Sequence, residues 1–192
     1  YTYVIALGSR EAKSDPGQLV TGLVTLPTDN IILNVYLNST LGTLTPATPF
    51  INGYASASAA QTQRSVIPML KPHTIIVTSV GDNDYLNISG DAGVELRRLY
   101  LTGGDISKVE IWKDGVREYE ETTEINEFMQ LREDRVPQAG RFIVDFVRRG
   151  WVLADTFRPQ RRSELKLRMT IGTAENVRML VESFKVLATP QR

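Results

Sequence analysis

Between Glu164 and Ile171 the side chains alternate without interruption: Leu165, Leu167, Met169 and Ile171 on one side, Lys166, Arg168 and Thr170 on the other. A period of two belongs to a β-strand, and a strand with one apolar and one polar face is half-buried. Arg141 to Val147 repeats the pattern, with Phe142, Val144 and Phe146 opposite Arg141 and Asp145. Between these two predicted strands stands Arg148, Arg149, Gly150, Trp151, a connection whose guanidinium and aromatic groups suit contact with another surface.

Taken in order, the chain offers more strands. Leu19 to Leu26 and Ile31 to Leu37 read as a hairpin about the turn chemistry of Pro27, Thr28, Asp29 and Asn30. Asn38 to Gln63, rich in small residues, reads as a long surface loop or linker. After Pro68 and Pro72, strands are expected over Thr74 to Val80, Tyr85 to Ile88 and Val94 to Leu101, with turns at Gly81 to Asp84 and at Ser89 to Gly93. Ile106 to Lys113 and Val116 to Glu121 flank Asp114 and Gly115, whose tolerance of positive φ makes a two-residue hairpin. Thr122 or Thr123 can cap a short helix with Glu124 and Glu127 in its first turns; Ile125, Phe128 and Met129 are its expected buried stripe. The last segment is open: Val177, Leu180, Val181 and Phe184 have helical spacing, whereas Val177, Met179 and Val181 alternate as a strand. Short strands separated by polar turns point to an all-β sandwich or barrel.

Composition excludes more than it selects. The 22 basic and 22 acidic side chains cancel, so no global field draws nucleic acid or an anionic membrane. They are unevenly spread, 4 and 5 before residue 91 against 18 and 17 after it, which hints at a boundary. Without cysteine there is no disulfide, thiolate nucleophile or thiolate metal site. No run approaches the ~18 apolar residues of a membrane helix. Tyr1 already stands within an alternation with Tyr3, Ile5 and Leu7, and we expect either an upstream piece or a removed leader.

Catalytic motifs are not legible. His73 is the sole histidine, reads as a loop residue and has no ligand neighbours in sequence. No serine lies between glycines at nucleophile-elbow spacing. Asp82, Asn83 and Asp84 lack the glycine and distal glutamate of a calcium loop and read as a turn. Gly103 and Gly104 are too little for a phosphate loop. Glu118, Glu120, Glu121, Glu124 and Glu127 could pair as glycosidase carboxylates, but a solvated hairpin edge and a helix first turn account for them better. Sequons at Asn38 and Asn87 matter only on a eukaryotic secretory route.

From Thr74 to Leu187 the order of segments resembles the jelly-roll coat proteins of tailless icosahedral viruses, nearest to the double-jelly-roll capsid proteins of membrane-containing phages. The resemblance is carried by the hairpin Val109 to Val116, the helical excursion after Glu121, Gly140 to Phe146, a charged connection containing Asp155, and the alternating strand ending at Ile171. It implies an all-β jelly-roll sandwich over 64–192, with 1–63 supplying strands of a first, incomplete roll and a long loop. It also implies a structural role in the virion: self-assembly with other copies, as trimers, and with other capsid proteins, and contact with an internal membrane or minor virion proteins. No cofactor, metal, catalytic residue or specific nucleic acid is expected. Arg148, Arg149, Trp151, Phe157, Arg161 and Arg162, with Arg158, are candidate intersubunit contacts, because Arg and aromatics are enriched in interface cores; nucleic-acid binding and a merely solvated connection are the other readings of the same residues. The competing class is a carbohydrate-binding or adhesin sandwich using Tyr36, Tyr54, Tyr85 and Trp151 as platforms, and an enzyme on this scaffold is a third.

Overall fold

The computed structural model describes residues 21–22, 24–25, 29–34, 65–86, 88, 93–159 and 164–187. Two compact units make up the chain, Tyr1–Leu23 with Arg64–Arg192, and Val24–Gln63. The first contains β1 (Val66–Ile75), β2 (Gly81–Tyr85), β3 (Val94–Thr102), β4 (Ile106–Lys113), β5 (Val116–Thr122), α1 (Thr123–Arg132), β6 (Arg141–Asp145), β7 (Leu165–Ile171) and β8 (Val177–Val186). They form two antiparallel four-stranded sheets, ordered β1-β8-β3-β6 and β2-β7-β4-β5. Every connection crosses from one sheet to the other except the β4–β5 hairpin, the winding of a jelly roll.

The expected alternation of β7 is met: Leu165, Leu167, Met169 and Ile171 are buried, and Lys166, Arg168 and Thr170 are not. They share one core with Val109 and Ile111 of the neighbouring strand β4 and with Leu99 and Val144 of the opposite sheet. The open question at the C-terminal end resolves as a strand, because β8 lies between β1 and β3 and turns Val177, Met179 and Val181 into the core. Asp114 and Gly115, at φ of 50° and 78°, make the β4–β5 turn as expected. The shift in charge density near residue 90 falls between β2 and β3 of one sandwich and marks no boundary.

Several expectations are corrected. The strand placed at Thr74 to Val80 is instead Val66–Ile75 and contains both prolines. The backbone N–H of Leu187 donates to Ser65 O, so odd positions of this pairing face β8, while Pro68 and Pro72 face the outer edge, where no donor is needed. His73 is accordingly a strand residue. The turn expected at Gly81 to Asp84 is strand β2, with Tyr85 its last residue. Its polar sequence suits the outer face: Asp84 takes a two-pronged grip from Arg168 at 2.7 and 3.0 Å, and Asp82 accepts from the Thr170 hydroxyl at 2.6 Å. Of the hairpin expected at 19–37, residues 21–22, 24–25 and 29–34 are described and none of these lies in a strand, with Ile31, Ile32 and Leu33 exposed; the rest of it lies outside the described residues. The long loop at 38–63 lies outside the described residues.

The largest correction concerns α1. Thr122 caps it, its hydroxyl accepting from Ile125 N at 3.4 Å, as expected. Its buried residues, however, are Asn126 and Gln130; of the expected stripe Ile125 and Phe128 are 51 and 62% exposed and Met129 is half-buried, while Leu131 is 60% exposed. The helix lies with a polar side inward because it covers the edge of β6, which presents unpaired backbone groups rather than apolar side chains.

Candidate functional site

The connection from β6 to β7 carries the residues singled out from sequence. It leaves the sheet at Asp145, whose Oδ1 accepts from Val147 N at 3.0 Å and bends the chain. The Arg148 guanidinium reaches back 2.6 Å to the buried carboxylate of Glu121. Phe157 exchanges both backbone hydrogen bonds with Leu96, at 2.8 and 2.9 Å, and stacks on Phe146 at 5.0 Å between ring centres. Arg148 and Phe157 thus fasten the connection to its own sandwich. Trp151 is 55% exposed; Arg149 is exposed and 3.5 Å from Asp155, and Arg158 is exposed and 3.0 Å from Glu95. Arg161 and Arg162 lie outside the described residues. Asp114 N donates to Glu164 O, and Glu164 N donates to Asp114 Oδ1, both at 3.0 Å, so the connection rejoins β7 at the β4–β5 turn.

Beneath it lies a polar network that sequence reasoning missed. Asn126 Nδ2 donates to Ile143 O at 2.8 Å and its Oδ1 accepts from Ile143 N at 3.4 Å, so one side-chain amide stands in for a neighbouring strand at the β6 edge. Asn126 also donates to Glu121 at 2.9 Å and accepts from Gln130 at 2.7 Å. Tyr119 donates to the same carboxylate at 2.6 Å, and burial, reinforced by Glu121, pushes its hydroxyl pKa well up. A second cluster joins Asp145 to Arg98 and Arg135, and Arg98 on to Glu182, which also takes Arg97 and the Tyr100 hydroxyl. Burial and then Glu182 raise the Tyr100 pKa. The available signal was Asn126 and Gln130, two amides four residues apart on one helix face.

The other sequence candidates resolve into structural parts. His73 Nδ1 lies 3.4 Å from the Tyr85 hydroxyl, joining the two sheets at their open side. Gly104 N donates to Glu175 Oε1 at 2.7 Å, and its oxygen accepts from Gly172 and Thr173, which locks the β3–β4 turn onto the β7–β8 turn. Glu110, buried on the outer face of β4, accepts from Lys108 at 2.8 Å and from the Trp112 indole at 2.7 Å. Lys166 lies 5.3 Å from the Trp112 ring centre, and Arg117 and Arg168 lie 5.9 Å from it. The polar half of the alternating strand is therefore absorbed in this ionic layer. Of the aromatic platforms, Tyr85 is half-buried against His73, Trp151 stands on the connection, and Tyr36 and Tyr54 lie outside the described residues, as do Asn38 and Asn87. Among the described residues no group of three or more acidic or histidine side chains is arranged to hold a metal.

Fold and surface together define a class: a jelly-roll sandwich with a closed core and a connection that exposes tryptophan and guanidinium groups. The family follows from comparison with known proteins. The model of the viral coat protein P2 C-terminal domain matches residues 67–187, and the chain belongs to that family. Among solved structures it is similar to the major capsid protein P2 from bacteriophage PM2, at 13% identity and a TM-score of 0.62 over 69% of this chain and 49% of that one. It is also similar to the STIV MCP, at 13% identity and a TM-score of 0.51 over 63% of this chain and 42% of that one. The chain thus spans about half the length of these proteins or less, and at this identity they show the fold. No curated protein sequence matches. The family is one of viral coat proteins, and the role it carries is a structural one in the virion capsid.

Proposed function

We propose that this chain is a shell-building unit that self-assembles into an icosahedral capsid as trimers, with no reaction of its own. In this reading 64–192 forms an upright roll, and 1–63 contributes strands of a first roll and a connecting loop. The observation that carries it is the coincidence of two boundaries: the family match, 67–187, covers the eight-stranded roll from β1 to β8 almost residue for residue. Arg149, Trp151 and Arg158 are its proposed intersubunit contacts, with Arg161 and Arg162. Trp151 supplies a large apolar anchor, and the weakly held Arg149 can exchange Asp155 for a carboxylate of another copy. Contact with a membrane or minor virion proteins belongs to the same reading and rests on the family resemblance.

Light scattering across a concentration and ionic-strength series, followed by negative-stain imaging, tests it. Discrete trimers, or their condensation into curved sheets, are expected, with the combined Arg149→Glu and Trp151→Ala variant shifted at least tenfold toward monomer. Arg148 is left intact because its charge balances buried Glu121. A monomer at every concentration overturns the assembly reading, and unchanged assembly by the variant overturns the contact assignment.

A further inference from the structure

The outward side of α1 has a pattern that a solvent-facing helix does not need. Ile125, Phe128 and Leu131 form a row at spacing three, each more than half exposed. Glu124, Phe128 and Arg132 form a second row at spacing four, with Glu124 in the first turn and Arg132 in the last. The rows cross at Phe128, and both read as complements of themselves about it: apolar on either side in one, acid against base in the other. Contiguous exposed apolar groups rimmed by charge mark a contact surface, and self-complementarity about one residue is what a twofold, isologous interface requires.

We propose that α1 is a twofold contact between copies of this chain, two helices packing antiparallel with Phe128 at the axis. Phe128 then meets its own counterpart, Ile125 faces Leu131 of the second copy, and Glu124 faces Arg132 of the second copy. The charges are disposed to make the exchange. Hydrogen bonds at the helix start, from its own backbone and from Thr122, hold the Glu124 carboxyl below the usual range, so it remains ionised. Arg132 is engaged with its sequence neighbour Glu133, at 3.1 Å on an exposed surface, an attachment of little strength that can be shared. The Asn126 and Gln130 network fixes the helix from below, so the apolar row is presented without rearrangement. The inference rests on the helix itself and not on the connection contact proposed above.

Absence of cysteine from the chain makes the axis directly testable. Packed helices lie about 8–10 Å apart, and the Cα radius is about 2.3 Å, so residues facing each other at the crossing have Cα atoms about 5 Å apart, within disulfide reach. A Phe128→Cys variant of the whole chain, under mild oxidation, is expected to give a covalent dimer at least tenfold faster than Val116→Cys, an equally exposed site on β5. Equal rates overturn the proposal. A second test does not alter the apolar row: Glu124→Arg or Arg132→Glu alone is expected to weaken dimerisation by light scattering at low salt, and the double exchange to restore it. Failure of the double exchange to restore it overturns the charge pairing. Trimers that persist with Phe128 uncrosslinked sink the helix contact and leave the capsid reading standing; a crosslinked dimer with no larger species does the reverse.

Discussion

The inverted helix gives the sharpest test of how this roll is held together. Replacing Asn126 with Ala removes four hydrogen bonds, to Glu121, to Ile143 O, from Ile143 N and from Gln130. A buried polar group left without a partner costs about 1–3 kcal/mol. Glu121 keeps Arg148 and Tyr119, and water can reach the β6 edge in part, so roughly two of the four losses are fully felt. The expected destabilisation is about 2–6 kcal/mol. Replacing Ile125 or Phe128 with Ala removes side chains already 51 and 62% exposed. Full burial of such a group is worth about 1.5–3 kcal/mol, so about 1 kcal/mol or less is at stake, offset by the better helix propensity of Ala. Urea denaturation followed by far-UV circular dichroism, at a concentration where the chain is monomeric, separates the cases. With a slope of about 2 kcal/mol/M, the Asn126→Ala midpoint should fall by about 1–3 M, while Ile125→Ala and Phe128→Ala hardly move. The opposite ranking would mean a helix rotated with Ile125 inward, and the edge-covering argument would fail.

Two further perturbations probe the turns and the ionic layer. A Cβ on Gly104 would stand 2.9 Å from Val177 Cγ2 and 3.1 Å from Ile171 Cγ2, at φ 75°, whereas one on Gly115, at φ 78°, meets nothing within 4 Å. Gly115→Ala should therefore show backbone strain alone, about 1 kcal/mol, and Gly104→Ala about 1–3 kcal/mol more from overpacking; equal losses in denaturant midpoint would refute the docking of the two turns. The ammonium of Lys108 and the Trp112 indole hold the Glu110 carboxyl below its usual range. Because the folded pKa is the lower one, this stabilisation is complete above the unfolded value of about 4.3 and is lost as pH falls through the folded value. Glu110→Gln should accordingly lose stability less steeply than the parent between about pH 4.5 and 2, and identical slopes in denaturant midpoint against pH would count against the pairing.

What could be read from the chain was whatever the side-chain period alone determines. β7 was legible because one face meets the core and the other does not, so burial follows sequence residue by residue, and β4–β5 because Asp114 and Gly115 mark its turn. β2 was not, because Asp82, Asn83 and Asp84 look like a turn until Arg168 and Thr170 stand beside them, and those partners lie more than eighty residues away. β1 was obscured by two prolines that are harmless at an outer edge and disqualifying elsewhere. Helix α1 was found and capped correctly but turned the wrong way, since periodicity assumes an apolar surface beneath and this helix covers a strand edge. In the connection, sequence picked out a real concentration of Arg and aromatic groups. It could not foresee that Glu121 claims Arg148 and that Leu96 and Phe146 claim Phe157, leaving Arg149, Trp151 and Arg158 outward.

The four sheet edges constrain how such a unit can assemble. An open edge offers unpaired N–H and C=O groups and invites strand addition. Here β1 interrupts its outer row with Pro68 and Pro72, which have no N–H to offer. The β6 edge is occupied by Asn126. β5 carries Arg117 and Glu120 in an ion pair and runs past an irregularity in its pairing at Ile111 and Trp112. β2 is five residues long with exposed acidic groups at Asp82 and Asp84. Each is a different device with one result: joining copies by extending either sheet is disfavoured. In the proposed assembly, contacts between copies would then run through side chains, as on the β6–β7 connection and α1. Such contacts have a register fixed by shape and charge rather than by a backbone ladder that can slip by two residues, and a shell that must close with each copy in a defined orientation needs that fixed register.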